Sequence, residues 1–137
     1  MYDLKGEISK LVKKYGTNDP FELASSLGIS VLFMNLGQTY GFFRIYKRVK
    51  VLVINNMLED WIKRFVCAHE LGHAILHPDV NTAFLKKNTF YSIGKLENQA
   101  NEFAVNLLLY DKNLEDYETK FDCLRENGIP LEMERFL

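Results

Sequence analysis

Residues 60–77 read Asp60-Trp61-Ile62-Lys63-Arg64-Phe65-Val66-Cys67-Ala68-His69-Glu70-Leu71-Gly72-His73-Ala74-Ile75-Leu76-His77, and the reading of this stretch decides the fold. At helical spacing, Ile62, Phe65, Val66, Ala68, Leu71, Gly72, Ile75 and Leu76 cover well over half of the circumference. A helix so widely apolar lies inside a molecule rather than on it. Asn56, with Glu59 three residues on, supplies a cap for its start, and Pro78 stops it at about His77. His69 and His73 are four apart, hence one turn apart on one face, and both imidazoles reach a single point with Glu70 to its side. Two nitrogen donors with an adjacent carboxylate suit a zinc ion and a general base. Without a metal, two buried histidines one turn apart would need separate partners for every ring nitrogen.

Working outward from this helix, the chain before it changes character twice. Leu4, Ile8, Leu11 and Val12 recur at helical spacing and stop at Gly16. Asp19-Pro20-Phe21-Glu22 then places a capping acid, a proline in the first turn and a glutamate three after the cap, with Gly28 closing a short second helix. From Ile29 to Asn55 the runs Ile29–Phe33, Gly41–Tyr46 and Val51–Ile54 are β-branched and aromatic, separated by polar turns. They predict a small antiparallel sheet whose last two strands form a hairpin. After an irregular loop, Asp79 to Gly94, a fourth helix carries Leu96, Ala100, Phe103, Ala104, Leu107 and Leu108 on one stripe. The tail reads as one further helix and a terminal turn, divided by Gly128-Ile129-Pro130. The expectation is an α+β fold, a small antiparallel sheet packed on a central His-Glu-x-x-His helix and further helices, in one domain over residues 1–137.

A catalytic zinc site takes a third protein ligand and leaves one position open to water. Asp79, Glu97, Glu102, Asp111 and Cys123 follow the histidines. On the fourth helix Glu97 lies at the edge of the apolar stripe near Ala104 and Leu108, whereas Glu102 falls on the solvent side, so Glu97 is the expected third ligand. Asn101, one turn on, can accept the second N–H of a ligating histidine and hold its ring. His77 lies about 12 Å along the axis from His69, too far for a shared tetrahedral ion, and is read as meeting carbonyls at the helix end or donating near a substrate. Cys67 points away from His69 as a structural thiol, and Phe42, Phe43 and Tyr46 belong to sheet core or a substrate-facing strand. With zinc in place, a bound water is acidified to about pKa 7, Glu70 takes its proton, and a polarised peptide carbonyl is attacked. Strand Val51–Asn55 leads into the helix, which suggests that an extended substrate adds to an edge there. His77, Tyr91 and Tyr110 are candidates for stabilising the oxyanion.

Composition narrows the function further. Seventeen basic and 18 acidic side chains leave a net charge of -1, which provides no field for a phosphate backbone or an anionic membrane, so no direct contact with nucleic acid is expected. Charges scattered through Met1 to Tyr15 exclude a signal peptide, and the uncharged stretch Leu27 to Phe43 is too broken by polar residues and glycines to span a membrane. The expected location is the cytoplasm, with Cys67 and Cys123 as reduced thiols.

The ordered set Asp19-Pro20-Phe21-Glu22-Leu23-Ala24, Leu27-Gly28-Ile29, Val53-Ile54-Asn55, Arg64-Phe65, Ala68-His69-Glu70-Leu71-Gly72-His73, Leu76-His77 and Glu97-Asn98-Gln99-Ala100-Asn101-Glu102-Phe103-Ala104 resembles the ImmA/IrrE metallopeptidases over nearly the whole chain. After the fourth helix, where many relatives have methionine-proline, this chain has Leu109-Tyr110-Asp111. The resemblance implies a zincin-like fold and a zinc-dependent endopeptidase, with zinc on His69, His73 and Glu97 and with Glu70 as base. It also implies a substrate: a cytoplasmic helix-turn-helix repressor whose cleavage releases prophage or mobile-element genes. The alternative is a non-catalytic zincin-like binding module, an antirepressor that captures the repressor with zinc only structural; the absence of a convincing fourth ligand and the intact Glu70 favour the enzyme.

Overall fold

The computed structural model describes residues 3–92 and 94–137. The parts of the Met1–Tyr15 and Asp79–Gly94 readings that fall on Met1, Tyr2 and Ile93 lie outside the described residues. Helix α1 (Leu4–Tyr15) and helix α2 (Pro20–Ser26) precede three strands, β1 (Ser30–Met34), β2 (Gly41–Tyr46) and β3 (Val49–Asn55). Helix α3 (Asp60–Leu76), helix α4 (Lys95–Leu108) and the short helix α5 (Lys120–Glu126) follow, with 3-10 turns at Lys87–Tyr91, Leu114–Asp116 and Leu131–Phe136. The architecture is α+β. No helix among the described residues is long and apolar enough to cross a membrane.

Local signals account for the early elements. Asp19 accepts from the backbone N–H groups of Phe21 and Glu22 at 2.8 and 3.3 Å, and Pro20 opens α2 where a missing N–H costs nothing. Gly16 ends α1 in the left-handed region at φ 74°, which favours glycine. The start of α3 differs from expectation: Glu59, not Asn56, precedes the first helical residue, and it makes no side-chain cap. Residues 56–58 instead form a turn organised by Asn55, whose Oδ1 accepts from the Met57 N–H at 3.0 Å.

The sheet is not wholly antiparallel. Its order is β1-β3-β2, with β2 and β3 an antiparallel hairpin and β1 running parallel to β3. The reason lies in the loop between β1 and β2, which passes β3 and delivers β2 to the far edge. Asn55 is buried at the end of β3 and donates to the Gly37 and Thr39 carbonyls at 2.8 and 2.9 Å, holding that loop in place. Val51–Asn55 is therefore the interior of the sheet and offers no free edge to a substrate. The edge beside α3 is β2, and at its start the backbones of Tyr40 and Gly41 are already bonded to Leu85.

Helix α3 is the centre of the core. From Phe65 to Ala74 every residue of it is buried, between the sheet and α2 on one side and α4 on the other. Two glycines allow the closest approaches. A Cβ on Gly72 would lie 3.0 to 3.2 Å from Phe103, so α3 and α4 touch nearly backbone to ring. A Cβ on Gly41 would lie 2.7 Å from Val66 Cγ1 and 2.8 Å from the Val53 carbonyl oxygen, so β2 rests directly on α3 beside Glu70.

Candidate metal centre

Helical periodicity places His69 and His73 on one face of α3, their ring centroids 4.8 Å apart, and the close α3–α4 contact at Gly72 brings Glu97 against both. The Glu97 carboxylate lies 2.6 Å from His73 Nε2 and 3.4 Å from His69 Nε2. Glu70 stands on the same helix, and its carboxylate oxygen and the donor nitrogens of the two histidines all lie within 4.8 Å of one another. His69, Glu70 and His73 have no exposed surface.

The outer ring nitrogens are held by neighbours. Asn101 Nδ2 donates to the Thr89 carbonyl at 3.3 Å, which turns its Oδ1 towards His69 Nδ1 at 2.8 Å. The His69 proton therefore sits on Nδ1 and its Nε2 presents a lone pair. His73 Nδ1 meets His77 Nδ1 at 3.0 Å, and His77 Nε2 meets Gln99 Oε1 at 2.8 Å. His77 thus spends both ring nitrogens on side chains. It neither meets carbonyls at the helix end nor points a donor at a substrate, because the backbone at φ -130° and ψ 53° leaves the helix there and its ring turns back along the face that carries His73. Of the other residues considered as oxyanion donors, the Tyr110 hydroxyl lies 3.4 Å from Ser9 on α1, and Tyr91 is 66% exposed.

The inner atoms are unsatisfied. His69 Nε2, His73 Nε2 and both oxygens of Glu70 and of Glu97 are buried without a hydrogen-bond partner. A proton shared along either Nε2···O line would need hydrogen-bond geometry, and neither contact has it; an ion seated among these atoms needs none. Buried polar atoms are seldom orphaned, and two lone pairs and a carboxylate converging on one point fit a divalent cation. The two carboxylates are also held in different states. Burial raises Glu70 from 4.5 to about 8, the facing charge of Glu97 adding to it and His73 opposing. Burial would raise Glu97 as well, but in the metal-free protein protonated His69 and His73 facing it lower it and hold its carboxyl at about 2. One carboxylate is kept as an anion against the imidazoles, and its neighbour has a strong affinity for a proton.

The remaining acidic and thiol candidates lie elsewhere. Glu102 is part-exposed and lines a separate hollow with Leu4, Leu76 and Gln99; Asp79 is exposed; Asp111 accepts from Asn18 at 3.2 Å at the other end of α4. Cys67 and Cys123 are free and buried, and burial pushes the Cys67 thiol far above its ordinary value. Phe43 is core, Phe42 packs on Phe84 with ring centroids 5.0 Å apart, and Tyr46 is exposed. A cavity of about 860 Å³ lies between Tyr40, Trp61, Phe90 and Leu131 and is lined by none of the histidines; apolar volume alone does not mark the chemistry. Spacing alone does not single out Gln99, although it lies two residues beyond Glu97.

A helix with this His-Glu-x-x-His arrangement, packed between a small sheet and a glutamate-bearing helix, is the architecture of a metallopeptidase. The chain belongs to the peptidase M78 family, the IrrE N-terminal-like domain, whose pattern matches residues 24–136. Among individual proteins it is 45% identical over 135 residues to Uncharacterized immunity region protein 2 of Bacillus phage phi105, covering 95% of this chain and 85% of that one. It is 35% identical over 115 residues to Metallopeptidase ImmA of Bacillus subtilis (strain 168), covering 82% of this chain and 67% of that one.

Proposed function

We propose that the chain, acting as one domain over residues 1–137, is a zinc-dependent endopeptidase that cleaves a helix-turn-helix repressor in the cytoplasm and so releases the phage or mobile-element genes it silences. The observation that carries this reading is the set of orphaned buried atoms, two imidazole Nε2 lone pairs and the Glu97 carboxylate, turned to one point with Glu70 beside it. His69, His73 and Glu97 would hold the ion, and its chemistry when bound is to polarise a peptide carbonyl and acidify water. Nitrogen and carboxylate donors in this number suit zinc. Asn101 keeps the His69 proton on Nδ1 and so keeps Nε2 available.

Glu70 serves as the general base. It makes no hydrogen bond to the protein, so nothing competes for its carboxylate, and its place beside the point shared by the two histidines lets it take a proton from water there and pass it to a leaving amine. The names of the relatives, an immunity region protein and a metallopeptidase, support a repressor as the substrate class. A folded repressor offers an extended segment only at a linker or a frayed helix end, so cleavage is confined to one or a few sites.

The test is co-expression of the protein with the repressor encoded beside it, followed by mass spectrometry of the repressor. The expected result is one or a few discrete cuts, abolished by chelator and by Glu70→Gln with zinc content unchanged. Loss of repression with the repressor intact, and equal loss with Glu70→Gln, establishes capture without cleavage instead.

A further inference from the structure

His73 is reached by a chain of side chains that the proposed chemistry does not use. Its Nδ1 lies 3.0 Å from His77 Nδ1, and His77 Nε2 lies 2.8 Å from Gln99 Oε1. His73 is wholly buried and His77 nearly so, and Gln99 comes from α4, two residues beyond Glu97. Between two Nδ1 atoms at this distance there is room for one proton. The Gln99 oxygen accepts and cannot donate, so the proton of neutral His77 is on Nε2 and its Nδ1 is a lone pair. That lone pair in turn requires the His73 proton to be on Nδ1, which leaves His73 Nε2 bare and facing the point shared with His69 and Glu97.

We infer that Gln99 and His77 are positioning residues: together they fix the tautomer and ring orientation of His73, as Asn101 alone does for His69. The inference rests on the reading of His73 as a metal ligand. It gives the two histidines different supports. One is a single amide on α4, itself tied to the Thr89 carbonyl; the other is a two-step relay that crosses from α3 to α4. Both supports end on the helix that carries Glu97, in Asn101 and Gln99, so one packing contact between α3 and α4 sets all three donors. A neutral imidazole free to choose its tautomer loses part of its metal affinity to the wrong form, and removing an outer partner of this kind typically costs about 10- to 100-fold in affinity.

The experiment measures zinc affinity by chelator competition in the whole chain for wild type, His73→Ala, His77→Phe, Gln99→Leu, Gln99→Glu and the double variant His77→Phe/Gln99→Leu. Circular dichroism checks the fold of each, and ¹⁵N histidine spectra of the zinc-loaded proteins report the tautomers. In the wild type the His73 proton is expected on Nδ1 and the His77 proton on Nε2. His77→Phe keeps the ring shape, removes the acceptor, and should weaken zinc by about 10-fold or more. Gln99→Leu should weaken it less and Gln99→Glu should restore it, because a carboxylate accepts the same N–H. The double variant should be no worse than His77→Phe, since the two residues act in series. Independent, additive losses, a His73 proton on Nε2 in the wild type, or affinities of His77→Phe and Gln99→Leu within about threefold of wild type overturn the inference. If His77→Phe does not fold, the part-exposed Gln99 variants decide alone. Wild type and His73→Ala separate the two levels: equal zinc binding in these two refutes His73 as a ligand, whereas loss in His73→Ala with no effect at His77 and Gln99 refutes only the relay.

Discussion

Gly41→Ala tests the contact that seats the sheet on the histidine helix. The added Cβ would lie 2.7 Å from Val66 Cγ1 and 2.8 Å from the Val53 carbonyl oxygen, where carbon contacts ordinarily sit at about 3.5 to 4.0 Å. Neither neighbour yields easily. Val66 is a β-branched helical residue with one strongly preferred rotamer, and the Val53 oxygen belongs to the central strand. Gly41 does not adopt a positive φ, so the backbone itself accepts alanine and the effect is one of space. Overpacking of this kind costs about 1 to 3 kcal/mol, here towards the upper end, and the reduced freedom of the unfolded chain returns about 0.4 to 1 kcal/mol. A net loss of about 2 kcal/mol follows, which at an unfolding entropy of about 2.1 cal/mol/K per residue lowers Tm by about 7 °C. The assay is chemical and thermal unfolding in chelator, so that metal binding does not add its own stabilisation. Val66→Ala removes one of the two clashes, and Gly41→Ala should cost about 1 kcal/mol less in that background. A Gly41→Ala protein within about 0.5 kcal/mol of wild type, with no coupling to Val66, would refute the close seating of β2 on α3.

Glu97→Ala is expected to lose zinc to a far weaker chelator than Glu102→Ala, which should match the wild type in metal analysis; the reverse order refutes Glu97 as the third ligand. The β2–β3 turn carries Lys47 and Arg48 at φ 48° and 69°, and replacing them by Asn-Gly should raise stability by about 1 kcal/mol in denaturant titration, because both positions favour residues that tolerate positive φ. Cys67 has no exposed surface and a thiol pushed far up by burial, so it should resist alkylation in the native protein and react only on unfolding; fast labelling under native conditions refutes that packing.

The parts of the fold and site that can be read from the sequence are those in which a residue's partner is set by the period of its own element. His69, Glu70 and His73 are neighbours because a helix repeats every 3.6 residues, and the same period separates Glu97 and Asn101 from the outward Glu102. The cap at Asp19 and the stop at Gly16 are equally local. The sheet direction is not. Whether β1 runs parallel or antiparallel to β3 depends on a loop crossing held by Asn55 through carbonyls 16 and 18 residues away, and no periodicity in Ile29–Asn55 encodes that contact.

His77 shows the same boundary within a single motif. Its four-residue spacing from His73 is visible in the sequence, and spacing alone correctly separates it from His69 by too much axis for one ion. Its partners depend instead on two facts outside that spacing: the helix ends at this residue, so the ring can fold back to Nδ1 of His73, and α4 crosses close enough at Gly72 to bring Gln99 to its far side. Gln99 differs from Glu97 by two positions and about 200° around α4, so one apolar stripe cannot place both. Their joint approach to α3 follows from the absence of a Cβ on Gly72, which lets Phe103 and the whole of α4 pack close enough for residues on both flanks of the stripe to reach across. The small residue in the middle of His69-Glu70-Leu71-Gly72-His73 thus contributes to the site as much by the helix it admits as the histidines do by the atoms they present.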